Sequence, residues 1–200
     1  MRKQAWAALT AIVLTVTGVS MAQEVDEFQW LEDVEGAKAL EWVTAQNTRS
    51  LKLLQADPRF ADFEAKALSI LEAEDRIPSP GFRAGQVYNF WQDQKAVRGF
   101  VRRTSTASFS TDKPDWETVL DIDALSKAEG ANWVYKGSTC LLPDETRCLV
   151  ELSEGGKDAV EIREYDLKSK TFVKDGFKLS ACKQNVDWID QDTIFVARDW

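Results

Sequence analysis

The sequence predicts an α+β protein in which a helical N-terminal segment leads into a body of antiparallel β-strands. Three observations carry this. Apolar residues recur every three or four positions between residues 35 and 71, the spacing of a helix stripe. Between residues 86 and 123 the period changes to two: Val97, Val101 and Arg103 alternate with Arg98, Phe100 and Arg102. Likewise Trp116, Thr118, Leu120 and Ile122 alternate with Glu117, Val119, Asp121 and Asp123, the signature of a half-buried strand. Finally, eight Trp and ten Phe supply apolar surface that demands a packed core.

The first 22 residues have a different character. Arg2 and Lys3 precede an apolar run from Ala5 to Val19 that ends in Ser20-Met21-Ala22, with small residues placed for cleavage after Ala22. This is the pattern of a removable export signal. The run is short for a membrane span and holds Thr10, Thr15 and Thr17, which argues against a stable anchor. The expected location is the periplasm or the exterior.

A first helix is predicted over residues 35–55, with Leu40, Val43, Asn47, Leu51 and Leu54 on one stripe. Asp57 can cap a second helix whose first turn holds Pro58, where a missing N–H is harmless. Phe60, Phe63, Ala67, Leu68 and Leu71 form its predicted buried side. Pro78, Pro80 and Gly81 close the helical part. The organisation is therefore residues 1–22 as signal, 23–77 as helical segment and 78–200 as β-body.

Strands are predicted over residues 88–91, 97–104, 116–122, 133–135, 148–152, 160–165, 186–189 and 193–197. Gly155-Gly156 separates two of them as a hairpin requires. Short strands at this spacing fit a sandwich, a barrel or a propeller. No glycine-rich turn leads into parallel strands, so a dinucleotide-binding domain is not expected. The apolar strand at 193–197 would leave an open sheet edge, so the chain is expected to be the leading part of a longer protein.

Cys140 and Cys148 flank Leu-Leu-Pro-Asp-Glu-Thr-Arg, with a turn signal at Pro143-Asp144. In a hairpin they face each other or sit diagonally, and an oxidising compartment would allow a disulfide; buried free thiols are the alternative. Cys182 is left over.

The chemistry that composition excludes is substantial. The chain has no histidine, so neither a Ser-His-Asp nor a Cys-His unit can be built from it. It lacks a Gly-x-Ser-x-Gly elbow and a phosphate-binding loop. Three cysteines without a Cys-x-x-Cys pair cannot make a four-thiolate metal site, and no cofactor is expected. A net charge of −8 opposes general affinity for nucleic acid or anionic lipid.

What remains is carboxylates and arginines. Asp121/Asp123 and Asp187/Asp190/Asp192 could hold calcium or act as an acid–base pair on a glycoside, but their positions at strand ends fit turn chemistry better. Arg98, Arg102 and Arg103 read as a solvated strand face paired with nearby acids, with an acidic ligand as the alternative.

Phe28-Gln-Trp-Leu-Glu-Asp33, Ala39-Leu-Glu-Trp-Val43 and Gln46-Asn47 resemble the start of the prolyl oligopeptidase family of serine peptidases. The match continues through Tyr88-Asn-Phe-Trp-Gln-Asp93, Val97-Arg-Gly99, Arg102-Arg103-Thr104 and Trp116-Glu-Thr-Val-Leu-Asp121. It then runs from Cys148-Leu-Val and Gly155-Gly156 to Arg163-Glu164-Tyr165-Asp166-Leu167. The resemblance implies that residues 24–77 pack on an α/β-hydrolase domain and that residues 78–200 are the first blades of a seven-bladed β-propeller over its active site. It implies a serine peptidase acting on short peptides, with the propeller keeping folded proteins out. The family's serine, aspartate and histidine lie in the C-terminal hydrolase domain, so no catalytic residue maps onto this chain and the chain alone should be inactive. The alternative is a secreted propeller-like binding module without catalysis.

Overall fold

The computed structural model describes residues 26–199, so the segment read as an export signal, residues 1–22, lies outside the described residues. The chain divides into two units, residues 1–61 and 62–200.

In the first unit a single 3-10 turn, Gln29–Glu32, precedes helix α1, Ala37–Gln55. Trp30 meets Trp42 edge to face at 6.3 Å, and the Lys38 ammonium sits 4.2 Å from the centre of the Trp30 ring. Asp57 then shapes the turn into helix α2, Phe60–Leu71. Its carboxylate accepts the Arg59 amide at 2.9 Å, and its carbonyl accepts the Phe60 amide at 2.9 Å. The predicted burial of the helix stripes is not met within the described residues. Leu40, Val43, Leu51 and Leu54 of α1 are at least 41% exposed, as are Phe63, Leu68 and Leu71 of α2. Periodicity states which face is apolar; it does not supply the surface that covers it.

The second unit takes in α2 from Asp62 onward and is otherwise built from antiparallel sheets joined in chain order. The first sheet is a four-stranded meander of β1 (Gly81–Arg83), β2 (Gln86–Trp91), β3 (Phe100–Ser105) and β4 (Glu117–Asp121). A short helix α3, Thr106–Phe109, is capped by the Ser105 hydroxyl and bridges β3 to β4. Helix α4, Ile122–Glu129, follows β4 directly. Its start corrects the predicted strand over 116–122. The Asp121 carboxylate accepts the Ala124 amide at 2.9 Å as a helix N-cap, and Gly130 ends the helix at φ 65°.

The second sheet runs β5 (Trp133–Cys140), β6 (Arg147–Glu154) and β7 (Val160–Asp166). Its outer edge is shared by β8 (Thr171–Phe172) and β9 (Lys178–Cys182), which pair with opposite ends of β7. A third pair, β10 (Gln184–Asp190) and β11 (Thr193–Arg198), follows. Between β6 and β7 both Gly155 and Gly156 take positive φ, 66° and 79°, as the hairpin reading requires.

The middle sheet is covered on both faces, which the half-buried reading of these strands did not anticipate. Along β6, Cys148, Val150 and Leu152 join one apolar cluster with Val119, Leu120 and Ile122. Leu149, between them and fully buried, joins a second cluster with Val160, Ile162 and Val186. Odd and even residues thus enter different cores, one shared with the preceding sheet and one with the following pair. In β4 the adjacent Val119 and Leu120 are both under 9% exposed and join the same cluster. Sequential meanders that pack face to face in chain order are propeller blades.

Candidate functional site: the seam between the first two blades

The first strands of the three sheets are linked to one another. Arg83, at the end of β1, donates to the Ser138 hydroxyl in β5 at 3.2 Å, and the Trp188 indole of β10 donates to the Thr139 carbonyl at 3.0 Å. Phe90 of β2 stacks on Tyr135 of β5 with ring centres 5.0 Å apart. Contacts from β1, β2 and β10 thus converge on β5 and link the three sheets.

The three arginines of β3 and its approach hold this seam and its surroundings. Contrary to the solvated-face reading, Arg102 lies between Trp91 and Trp116, its guanidinium carbon 4.2 and 4.3 Å from the two ring centres. Its Nε donates to the Asn89 side chain at 2.9 Å, and burial lowers its pKa to about 10. Two tryptophans brought together by the β2–β3 pairing and the approach to β4 make this cage. Arg103 donates to Glu117 at 2.6 Å and to the Leu167 carbonyl of the second sheet at 2.9 Å. Lys170 also pairs with Glu117. The two cations hold the Glu117 carboxyl at a pKa of about 2, its hydrogen bond to Arg103 being the largest cause. Arg98 donates to the Trp133 carbonyl at 3.1 Å. The Arg103 side chain has the predicted carboxylate partner in direct contact, whereas those of Arg98 and Arg102 bond a backbone carbonyl and an asparagine side chain.

The acidic clusters act on backbone. Asp121 caps α4, and Asp123 accepts the Arg98 amide at 3.0 Å. Asp187 accepts the Trp188 amide and Asp190 the Asp192 amide, each at 2.8 Å. The Asp190 bond is the turn chemistry expected of Asp at a strand end, whereas Asp121 caps a helix and Asp123 reaches an amide 25 residues away. Among the described residues no group of three or more His, Cys, Asp or Glu side chains is placed to hold a metal ion.

Cys140 and Cys148 face each other directly across the β5–β6 ladder, Cα atoms 3.9 Å apart, and are joined as a disulfide. The diagonal alternative is not the one adopted. Cys182 remains a free thiol that approaches the Asp199 carbonyl at 3.4 Å. Sequence reasoning did not single out Arg83 or Glu145, which reach across the seam beside the disulfide. The available signal was the Ala84-Gly85 turn, which places Arg83 at the tip of a hairpin.

A helical lead followed by antiparallel sheets of four, five and two strands, stacked in chain order, defines the class: the N-terminal part of a propeller-bearing protein. The chain belongs to the prolyl oligopeptidase family, peptidase S9; residues 15–200 match the family described as prolyl oligopeptidase, N-terminal beta-propeller domain. An uncharacterized peptidase of Sinorhizobium fredii is 48% identical over 176 residues, covering 88% of this chain and 24% of the relative. An uncharacterized peptidase of Rickettsia prowazekii is 35% identical over 84% of this chain and 24% of its own. Among solved structures, a post-proline cleaving enzyme from Rickettsia typhi superimposes with a TM-score of 0.73 at 38% identity, covering 84% of this chain and 26% of that one. Oligopeptidase B from Leishmania major shares the fold alone, with a TM-score of 0.62 at 14% identity over 86% of this chain and 24% of that one. The chain thus spans about a quarter of the length of these proteins.

Proposed function

We propose that this chain is the N-terminal portion of an exported serine-type oligopeptidase that hydrolyses short peptides, with the propeller screening substrates by size above the active site. The observation that carries this reading is the similarity to the Rickettsia typhi enzyme, which spans helices and blades together at 38% identity. The post-proline cleavage in that enzyme's name supports proline-containing peptides as the substrate class. A chain without histidine cannot supply the proton shuttle of a serine peptidase. The serine, aspartate and histidine are therefore assigned to a hydrolase domain following residue 200, and acyl transfer through serine with an oxyanion hole is the proposed reaction. The exposed apolar faces of α1 and α2 fit a role in packing against that domain. Export rests on Arg2, Lys3, the apolar run and Ser20-Met21-Ala22.

The test compares residues 23–200 with the product of the full reading frame on a fluorogenic proline-containing peptide. Turnover by the longer protein alone, abolished by a serine-directed acylating inhibitor, is expected. Turnover by residues 23–200 would overturn the assignment of chemistry to the following domain. A full-length product with no turnover would favour a non-catalytic binding module.

A further inference from the structure

We propose that the Cys140–Cys148 disulfide is a redox-controlled clasp on the seam between the first two blades, and that a dithiol reductant releases it. The disulfide closes the β5–β6 hairpin, whose tip spans residues 141–146. From that tip Glu145 reaches the neighbouring blade and accepts the Ala84 amide in the β1–β2 turn at 2.7 Å. The adjacent Arg83 spans the seam in the other direction, donating to the Ser138 hydroxyl at 3.2 Å and lying 3.8 Å from the Cys148 sulfur. Two hairpin tips from different blades are thus clasped at the point the disulfide anchors.

The two sulfurs differ in a way that sets the course of reduction. Cys148 is fully buried in the apolar cluster, whereas Cys140 is partly exposed. An incoming thiolate therefore reaches the Cys140 sulfur, forms a mixed disulfide there and expels Cys148 as thiolate. The Arg83 guanidinium beside it stabilises that leaving group. The second thiol of the reductant, as thiolate, then attacks the mixed disulfide, leaving Cys140 as a thiol once protonated. One dithiol is oxidised to a disulfide, and its two protons end on Cys140 and Cys148.

Reduction has a mechanical consequence: it removes the covalent closure of the β5–β6 hairpin at two directly opposed positions and leaves the tip held by hydrogen bonds. Cys148 is fully buried in its apolar cluster whereas Cys140 is partly exposed, so the freedom gained falls on Cys140 and the hairpin tip. Glu145 moves with that tip, and the Ala84 amide loses its acceptor.

The experiment is amide hydrogen exchange on the purified protein before and after treatment with dithiothreitol, with mass spectrometry to count alkylatable thiols. The oxidised protein should show one alkylatable thiol, and full reduction should raise exchange at Ala84 by at least about tenfold, with β7 amides unchanged. Glu145→Ala should raise Ala84 exchange in the oxidised protein to the same level and remove its response to reductant. An unchanged Ala84 rate after full reduction would overturn the clasp. So would three alkylatable thiols before treatment, or a rise spread evenly over β2, β6 and β7, which would mark a general stabilising bond instead.

Discussion

The Tyr165 hydroxyl donates to the Val119 carbonyl at 2.6 Å, a buried bond that ties β7 of the second blade to β4 of the first. Burial pushes the Tyr165 pKa up to about 12, so the phenol stays a donor through the ordinary pH range. Tyr165→Phe keeps the ring, which meets Phe172 edge to face at 5.0 Å, and removes only the bond. The expected cost is about 1–2 kcal/mol, because a buried carbonyl loses a partner. Urea unfolding of the two proteins reads it; equal midpoints would show that the bond adds nothing net.

Arg102 gives a sharper test, since its two ring contacts and its bond to Asn89 depend on a flat guanidinium. Arg102→Ala should destabilise by about 2–3 kcal/mol. Arg102→Lys should recover less than half of that, because an ammonium cannot stack against both tryptophans and hold Asn89 together. Full rescue by lysine would reduce the cage to simple charge.

Glu117 carries a pH dependence whose sign is determined by its partners. Its pKa is depressed from 4.5 to about 2 by Arg103 and Lys170. A depressed folded-state value means the native state binds fewer protons than the unfolded one, so the contribution is complete above about pH 4.5 and disappears as pH falls toward about 2. The stability of Glu117→Gln should therefore lose less than that of the parent between about pH 6 and about pH 3. Denaturant midpoints at both values decide, and parallel losses would remove Glu117 from the account. The half-exposed Glu117 carboxylate limits the size of this contribution.

Gly99 is constrained twice, by φ of 81° and by crowding: a Cβ there would lie 2.6 Å from the Trp91 carbonyl oxygen and 2.7 Å from the Phe90 ring. Gly99→Ala should cost about 2–4 kcal/mol, combining left-handed strain with overpacking. Gly130→Ala is the control: its φ is 65° and nothing lies within 4 Å, so about 1–2 kcal/mol is expected. Equal thermal midpoints for the two variants would count against the crowding.

The helix faces lead to a prediction about association. Leu51 and Leu54 are 50% and 59% exposed. Leu51→Lys with Leu54→Gln should shift residues 23–200 toward the monomer on size exclusion while leaving helix content unchanged. Unaltered elution would place any self-association elsewhere, the β11 edge being the next surface to change.

The order of helices and then strands, and the hairpins at 155–156 and around Pro143, were legible because backbone periodicity and turn chemistry are local properties. Family membership was legible too, in motifs running from Phe28 to Leu167. Helix α4 was marked by Asp121 and Gly130 at its ends, but alternation continuing through Ile122 concealed it. The tertiary structure alone decided that β6 feeds two cores, since residues from β4 and β10 must arrive before either face of the sheet is covered. It alone decided that Arg102 is caged rather than solvated, because Trp91 and Trp116 converge on it only through sheet pairing. The clasp of Glu145 on Ala84, 61 residues apart, has no local signature at all. Spacing along a strand reports which side chains share a face; what meets that face is a long-range fact, decided by the packing of one blade on the next.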